Sequence, residues 1–238
     1  MSIGGDTIQR GPTLSRKTDK RYLLLEFSTL YLGLPFAMWY GLSAMHLLII
    51  PALLIASLLC LGLLWHDPGF DRRRFWKTEV ARVEIGRCIL LFVPCAVLMT
   101  ALVWYKNPSE LFDLPRHHHV IWIMIMLFYP FVSVPPQEII YRKFLFHRYE
   151  PILPSPESRI LVSALTFSLA HVIFGNVLAL AITLCGGLLF AFTYHRTKSL
   201  LAVSVEHAVY GSFVFTVGLG SSLLYGTKLM IERLTGAG

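Results

Sequence analysis

Seven apolar runs, separated by short polar stretches, occupy most of the chain between residues 22 and 219. An α-helix rises about 1.5 Å per residue, so about 20 mostly apolar residues are needed to cross the hydrocarbon core of a bilayer. Most of the runs approach that length, and the pattern therefore predicts membrane-spanning helices. The runs cover residues 22–40, 46–65, 88–105, 120–136, 160–174, 177–194 and 200–219.

Two of these runs are short until their flanking residues are considered. Ser155, Pro156 and Glu157 form an N-cap, a first-turn proline and a first-turn acid, so the fifth helix is expected to begin near Pro156. The fourth run is expected to continue as a helix through residues 137–149. Tight turns are expected at residues 41–43, Gly-Leu-Ser, and at residues 175–176, Gly-Asn.

Composition supports a single membrane domain. Of the 238 residues, 55% are hydrophobic and 15% are charged, with a mean hydropathy of +0.61, whereas soluble domains carry about 25% charge. The predicted fold class is all-α, a polytopic membrane helix bundle of about seven transmembrane helices. We expect a basic leader at 1–21, the bundle at 22–221 and a short tail at 222–238. The net charge of +7 does not indicate nucleic-acid binding, because the basic residues lie in short stretches between apolar runs.

The distribution of lysine and arginine predicts the orientation of the bundle. If the N-terminus lies inside, 17 of the 21 basic residues fall in inner segments and only Lys106, Arg116, Lys228 and Arg233 fall outside. Inner loops of membrane proteins carry this excess of positive charge. We therefore expect the N-terminus inside and the C-terminus outside. As a separate expectation, the membrane is the cytoplasmic membrane of a bacterium.

Two other groups of residues carry little functional signal. The four cysteines, at positions 60, 88, 95 and 185, lie in apolar runs without CxxC spacing and are expected to pack as small hydrophobic residues. The run His117–His119 lies in an outer loop, and three adjacent histidines do not match the helical spacing of a metal site such as HExxH. We expect no metal ligands there.

Ionisable residues inside the spans are more informative, since each acidic or basic residue at a helix centre costs about 2.5 to 3.5 kcal/mol. Glu138 and Arg142 are four residues apart and so share a helix face. His171 and His207 lie in the fifth and seventh runs. Counted from the inner helix ends, Glu138, His171 and His207 all lie roughly 14 to 18 Å deep. This common depth predicts that the three side chains form one site.

Structural explanations remain open for each of these residues. A single membrane histidine is often a helix–helix hydrogen-bond partner, and Glu138 and Arg142 could form a structural ion pair. Glu206 adjoins His207 but is not expected to share its face. Glu26, in the first span, has no partner that the sequence identifies.

At these positions the chain resembles the CPBP family, also called Abi or CAAX-protease-like, whose patterns are EExxxR, FxxxH and HxxxN. The matching residues are Gln137-Glu138-Ile-Ile-Tyr-Arg142, Phe167-Ser-Leu-Ala-His171 and His207-Ala-Val-Tyr-Gly211, and the resemblance covers about residues 120–215. It implies an intramembrane endopeptidase acting on a membrane-associated or lipid-modified protein. It also implies that Glu138, His171 and His207 are catalytic, with Gln137, Arg142, Phe167, Asn176 and Gly211 supporting them.

The chain departs from the family patterns at two positions. The first acid of the pair, regarded as the water-activating base, is replaced by Gln137, whose neutral amide cannot accept the proton. The final asparagine is replaced by Gly211, which has no side-chain donor, and Asn176 or Ser212 could substitute for it. Glu138 is then the only carboxylate of the first motif and the expected base, with His171 sharing the water and His207 stabilising the oxyanion.

Three alternatives remain from the sequence. No cofactor is expected, but two histidines and a glutamate could form a His2Glu zinc site with an open position. The chain could also be a catalytically silent membrane scaffold or an immunity-type binding protein. A small transporter is a further possibility, although no symmetry between two halves of the chain supports it.

Overall fold

The computed structural model describes residues 19–41, 48–72 and 75–220, and within these ranges every regular element is a helix. Seven helices are long and apolar enough to cross a membrane, which confirms the predicted all-α, seven-span class. The leader up to residue 18, the tail from 221, and the turn at 42–43 lie outside the described residues. The helices are α1 (Lys20–Tyr40), α2 (Ile49–His66), α3 (Thr78–Lys106), α4 (His119–Arg148), α5 (Pro156–Phe174), α6 (Val177–Thr197) and α7 (Leu200–Val217).

The outward faces of these helices are apolar. Leu90, Val97 and Leu98 on α3 are each more than half exposed, and Phe131 on α4 is 77% exposed. In water such a surface would favour aggregation, whereas in a bilayer it is in contact with lipid tails of the same polarity. All backbone groups of a helix are hydrogen-bonded within the segment, so the helices can cross the bilayer without unpaired polar groups.

Side-chain caps define the beginnings of the last three helices. Ser155 accepts a hydrogen bond from the Ser158 amide immediately before Pro156, which confirms the predicted start of α5. Asn176 caps α6 and Ser199 caps α7 in the same way. Gly175, with φ of +61°, adopts the left-handed conformation that the tight turn between α5 and α6 requires. The predicted turn at 175–176 is therefore present.

Helix α4 is the longest span and is not a regular α-helix throughout. Two π-helical segments, Tyr129–Ser133 and Ile139–Phe144, interrupt it, and Pro130, Pro135 and Pro136 lie in or next to the first. Proline removes a backbone donor from the helix, and π turns often occur at functional sites. The predicted helical continuation beyond residue 136 is present as far as Arg148.

The C-terminal half of α4 forms the centre of the bundle. Residues from Pro136 to Phe146 are buried, and α2, α5 and α7 surround them. Helices α5 and α6 make the most extensive helix–helix contact, and they approach closely because Gly187 faces the backbone of Ala164. A small residue at such a crossing allows this close approach. This packing holds α5 and α6 against each other, and α5 in turn contacts α4.

Glu26 has a partner that the sequence did not identify. Its carboxylate accepts hydrogen bonds from Nε of Arg148 at 3.0 Å and from Nη2 of Arg148 at 2.9 Å, and the Tyr149 hydroxyl donates a third at 3.0 Å. These contacts join α1 to the C-terminal end of α4. The acid in the first span is thus part of a largely buried ion pair.

Candidate active site

Glu138 and Arg142 form an ion pair inside the bundle. Nη1 of Arg142 lies 3.1 Å from Oε1 of Glu138, and both side chains are completely buried. The Arg142 guanidinium also lies over the ring of Phe167 at 4.3 Å and near that of Phe190 at 5.5 Å. A buried cation needs such compensation, because the carboxylate and the ring faces replace the water that the cation has lost.

Glu138 also contacts His207, which comes from α7. Nδ1 of His207 lies 2.7 Å from Oε1 of Glu138, so the carboxylate is shared between the imidazole and Arg142. The imidazole stacks on Phe190 at 4.6 Å and meets the edge of Phe167 at 5.5 Å. The orientation of the His207 ring is therefore determined by both a hydrogen bond and aromatic packing.

His171 is held in the same manner by its own helix. It lies at the start of the 3₁₀ turn that ends α5, where its Nδ1 is 2.7 Å from the carbonyl oxygen of Phe167. A carbonyl only accepts hydrogen bonds, so Nδ1 of His171 carries the proton. The same tautomer of His207 lets its Nδ1 donate to Oε1 of Glu138, which also contacts Arg142. In their neutral forms, both rings therefore present Nε2 as an acceptor.

Both histidines line a cavity of about 1900 Å³ that extends between the helices. Its wall consists mainly of aliphatic and aromatic side chains from all seven helices. Glu138 and Arg142 are not among the lining residues and lie behind His207, while Phe167 packs between the two histidine rings. The structure thus joins Glu138 directly to His207 and places His171 on the same wall. The polar residues of this wall near the histidines include Tyr129, Ser133, Gln137, Tyr141 and Tyr210.

Gln137 lies on the cavity wall but its amide is engaged elsewhere. Nε2 donates to the carbonyl oxygen of Ser133 at 3.0 Å and to the Ser133 hydroxyl at 2.9 Å, one turn earlier in α4. Among the described residues that line the cavity, none is an aspartate or glutamate. The side chain that replaces the first acid of the family pattern therefore interacts with its own helix.

The residues considered as substitutes for the missing asparagine do not reach the cavity. Asn176 uses its side-chain oxygen to cap α6, accepting from the Leu178 amide at 2.8 Å, and Ser212 is not among the lining residues. Gly211 does lie on the wall, and the hydroxyl of Tyr129 occupies the space beside it. Nothing in the sequence indicated Tyr129, because an aromatic residue in an apolar span is ordinary.

The order of these motifs along α4, α5 and α7 can be compared with known proteins. Residues 119–213 match the family model Rce1-like, described as type II CAAX prenyl endopeptidase Rce1-like. This match confirms the predicted resemblance to the CPBP, or CAAX-protease-like, family. No curated protein and no solved structure matches the chain. The Rce1-like segment begins with α4 and ends within α7, and it contains Glu138, His171 and His207.

The Rce1-like site does not have the arrangement of a zinc site. Among the described residues, no group of three or more histidine, cysteine, aspartate or glutamate side chains is placed to hold a metal ion. Nδ1 of His207 is hydrogen-bonded to Oε1 of Glu138. The cationic Arg142 lies 3.1 Å from this carboxylate oxygen. A cation at that carboxylate would be repelled by the guanidinium, so Glu138 does not fit the role of a zinc ligand.

Glu206, adjacent to His207 in the Rce1-like segment, belongs to a different environment. It is buried and lies beside Thr193 of α6 and Cys88 of α3. Successive residues on a helix point about 100° apart, so Glu206 faces α3 and α6 while His207 faces α4. Glu206 is therefore separate from the Glu138 and His207 pair.

Proposed function

We propose that the chain is an intramembrane endopeptidase in which His207, oriented by Glu138, activates the attacking water. The observation that supports this proposal is the 2.7 Å contact between Nδ1 of His207 and Oε1 of Glu138, with the imidazole on the cavity wall. A carboxylate in this position fixes the tautomer of the ring and stabilises the imidazolium that forms when the other nitrogen takes a proton.

The proposed hydrolysis proceeds in two steps. Nε2 of His207 takes a proton from a water molecule as the water oxygen bonds to the carbonyl carbon of the scissile peptide, and Glu138 stabilises the imidazolium. The tetrahedral intermediate then breaks its C–N bond while His207 returns the proton to the amine nitrogen. The products are a carboxyl terminus and a free amine, and Nε2 of His171 orients the water by accepting its second hydrogen.

This division of roles differs from the one expected from the sequence. Glu138 was expected to act as the base and His207 to stabilise the oxyanion. Glu138 lies behind the imidazole, and its Oε1 already contacts both His207 and Arg142. Water in the cavity meets the ring before it meets the carboxylate, so we assign the base to His207 and the orienting role to Glu138.

The size and the lining of the cavity favour a substrate with a large apolar portion. Its volume of about 1900 Å³ exceeds the usual range for small-molecule sites, which is about 300 to 1,000 Å³, and its wall is mostly apolar. We propose a membrane-associated protein whose apolar segment or lipid group lies in the cavity beside the histidines. We further propose that the reaction needs no metal.

The proposal can be tested with the purified full-length chain in liposomes. The probes are an internally quenched peptide that carries a farnesyl group and the same peptide without the lipid, each assayed with and without a chelator. We expect His207→Ala to abolish cleavage, whereas His119→Ala, at an exposed position at the start of α4, should not change it. Cleavage of either peptide that survives His207→Ala, or that is lost on chelation and restored by zinc, would contradict the proposal.

A second candidate function is binding without catalysis. The absence of a carboxylate among the described lining residues, together with the bonds from Gln137 to Ser133, favours this alternative. If the native chain cleaves neither peptide but Gln137→Glu creates cleavage, the chain is a silent member of its family. The farnesylated peptide should then bind to the native chain with an affinity measurable by fluorescence anisotropy.

A further inference from the structure

The Tyr129 phenol fills the place of a side chain at position 211. A Cβ built on Gly211 would lie 2.1 Å from the Tyr129 hydroxyl oxygen, 2.6 Å from Cζ and 2.7 Å from Cε1. Real Cβ atoms do not approach other atoms this closely, so any side chain at position 211 is incompatible with the present position of Tyr129. Glycine at this position allows the phenol to contact the backbone of α7.

The Tyr129 hydroxyl is consequently close to the histidine that we propose as the base. Gly211 follows His207 by four residues, and residues at this spacing share one helix face. The Tyr129 and His207 rings meet edge to face with centroids 6.0 Å apart, and both line the cavity. The hydroxyl thus lies one helical turn from the imidazole, on the same wall.

The proposed reaction also requires a hydrogen-bond donor, which neither of the two histidines nor Gln137 supplies. Addition of water to a carbonyl places negative charge on its oxygen, which needs donors already in position. Both histidines present acceptors when neutral, and the Gln137 amide donates to Ser133. Tyr129, with a phenolic donor and no hydrogen bond to the described residues in the structure, can supply the missing interaction.

We propose that the Tyr129 hydroxyl donates the hydrogen bond that stabilises the oxyanion, in place of the side chain that Gly211 lacks. This inference rests on the proposed endopeptidase activity and adds a further catalytic residue to it. The hydroxyl keeps its own proton throughout, and only the strength of its hydrogen bond to the substrate oxygen increases as the charge develops.

The first test is Tyr129→Phe, which removes the hydroxyl and keeps the ring against Gly211. Loss of one oxyanion donor reduces kcat by about 10² to 10³-fold in other hydrolases, and we expect a loss in this range with KM nearly unchanged. Thermal melting of the variant in detergent should match that of the native chain, because the ring packing is retained. Tyr105→Phe, at an 87% exposed position on α3, is the matched control and should keep full kcat.

The second test moves the donor to the other helix. Gly211→Asn alone should destabilise the chain, since the asparagine Cβ would overlap the phenol ring. Tyr129→Ala removes both the ring and the donor. Adding Gly211→Asn to this variant should raise kcat at least about tenfold over Tyr129→Ala alone, which is part of the 10² to 10³-fold effect of one oxyanion donor.

The outcomes of these tests distinguish the two proposals. Cleavage by the native chain together with an unchanged kcat in Tyr129→Phe would overturn the role of Tyr129 and leave the endopeptidase proposal intact. A change in KM without a change in kcat would also overturn it, because the hydroxyl would then bind the substrate and not the transition state. If the native chain cleaves neither peptide, both proposals fail together.

Discussion

Arg148 binds both carboxylate oxygens of Glu26, although 122 positions separate the two residues in the sequence. Both side chains are largely buried, with exposed fractions of 17% for Arg148 and 14% for Glu26. Glu26→Gln leaves the guanidinium without its counter-charge and should lower the free energy of unfolding by up to about 3 kcal/mol, somewhat less than for a fully buried pair. Unfolding titrations in mixed detergent micelles measure this loss.

The matched control is the Glu150–Arg159 pair, in which Glu150 is 65% exposed. Glu150→Gln should cost less than about 1 kcal/mol, since water screens exposed pairs. Equal losses for the two substitutions would contradict a specific role of the α1–α4 contact.

Glu138→Gln tests the orienting role of the carboxylate. The amide can still accept from His207, but it no longer carries the charge that stabilises the imidazolium, and it leaves Arg142 buried without its counter-ion. We expect the cleavage rate to fall by at least about 10²-fold. A rate assay on protein that remains helical by circular dichroism checks this, and a rate within threefold of the native value would refute the orienting role of Glu138.

Gln137→Ala should have a much smaller effect than Glu138→Gln. The Gln137 amide binds Ser133 within α4, so its removal loses neutral hydrogen bonds worth about 1 kcal/mol each. We expect the cleavage rate to fall by less than about tenfold. A larger loss in kcat, with the fold intact, would show that Gln137 acts directly on the water or the substrate.

Gly187→Ala tests the close crossing of α5 and α6. The added Cβ would lie 3.0 Å from Cα of Ala164 and 3.2 Å from its carbonyl oxygen, so the two backbones must separate. Overpacking of this kind costs about 1 to 3 kcal/mol, which thermal melting in detergent would detect. Gly62→Ala is the control, because nothing lies within 4 Å of its Cβ position, and it should leave stability unchanged or raise it.

The predicted orientation can be tested with reporter fusions in a bacterial cytoplasmic membrane. The 17 inner basic residues place the segments after residues 72 and 196 inside, and residues 107–118 and the C-terminus outside. A phosphatase reporter, active only outside, should therefore be active when fused at residue 110 and inactive at residue 198. The reverse pattern of reporter activity would show that the bundle has the opposite orientation in the membrane.

The number of spans and the start of α5 could be predicted because they depend on local sequence. Apolar length determines a span, and the Ser155-Pro156-Glu157 cap determines a helix start, without reference to other helices. The contact between Glu138 and His207 could also be predicted from the sequence, because buried ionisable groups need partners and the two residues lie at a similar predicted depth.

Other features depend on the three-dimensional packing. Glu26 and Arg148 pair across helices whose relative rotation no local pattern specifies. The placement of Glu138 behind the imidazole, and that of Tyr129 against Gly211, depend on the phase of α4. Because a π turn changes this phase, α-helical periodicity alone could not predict which side chains of α4 face the cavity.

The π segment Tyr129–Ser133 makes α4 sensitive to a change in length that substitution does not mimic. A π turn accommodates one more residue than an α turn, so deleting a single residue from this stretch would allow a continuous α-helix. Because the wide turn already holds the extra residue, the part of α4 before the deletion would keep about the same rotation relative to Glu138. The Glu138, Arg142 and His207 contacts would stay in place, and the change would be confined to the side chains of residues 129–133. A deletion at this point in a related chain would therefore alter what the substrate meets and leave the buried charges intact.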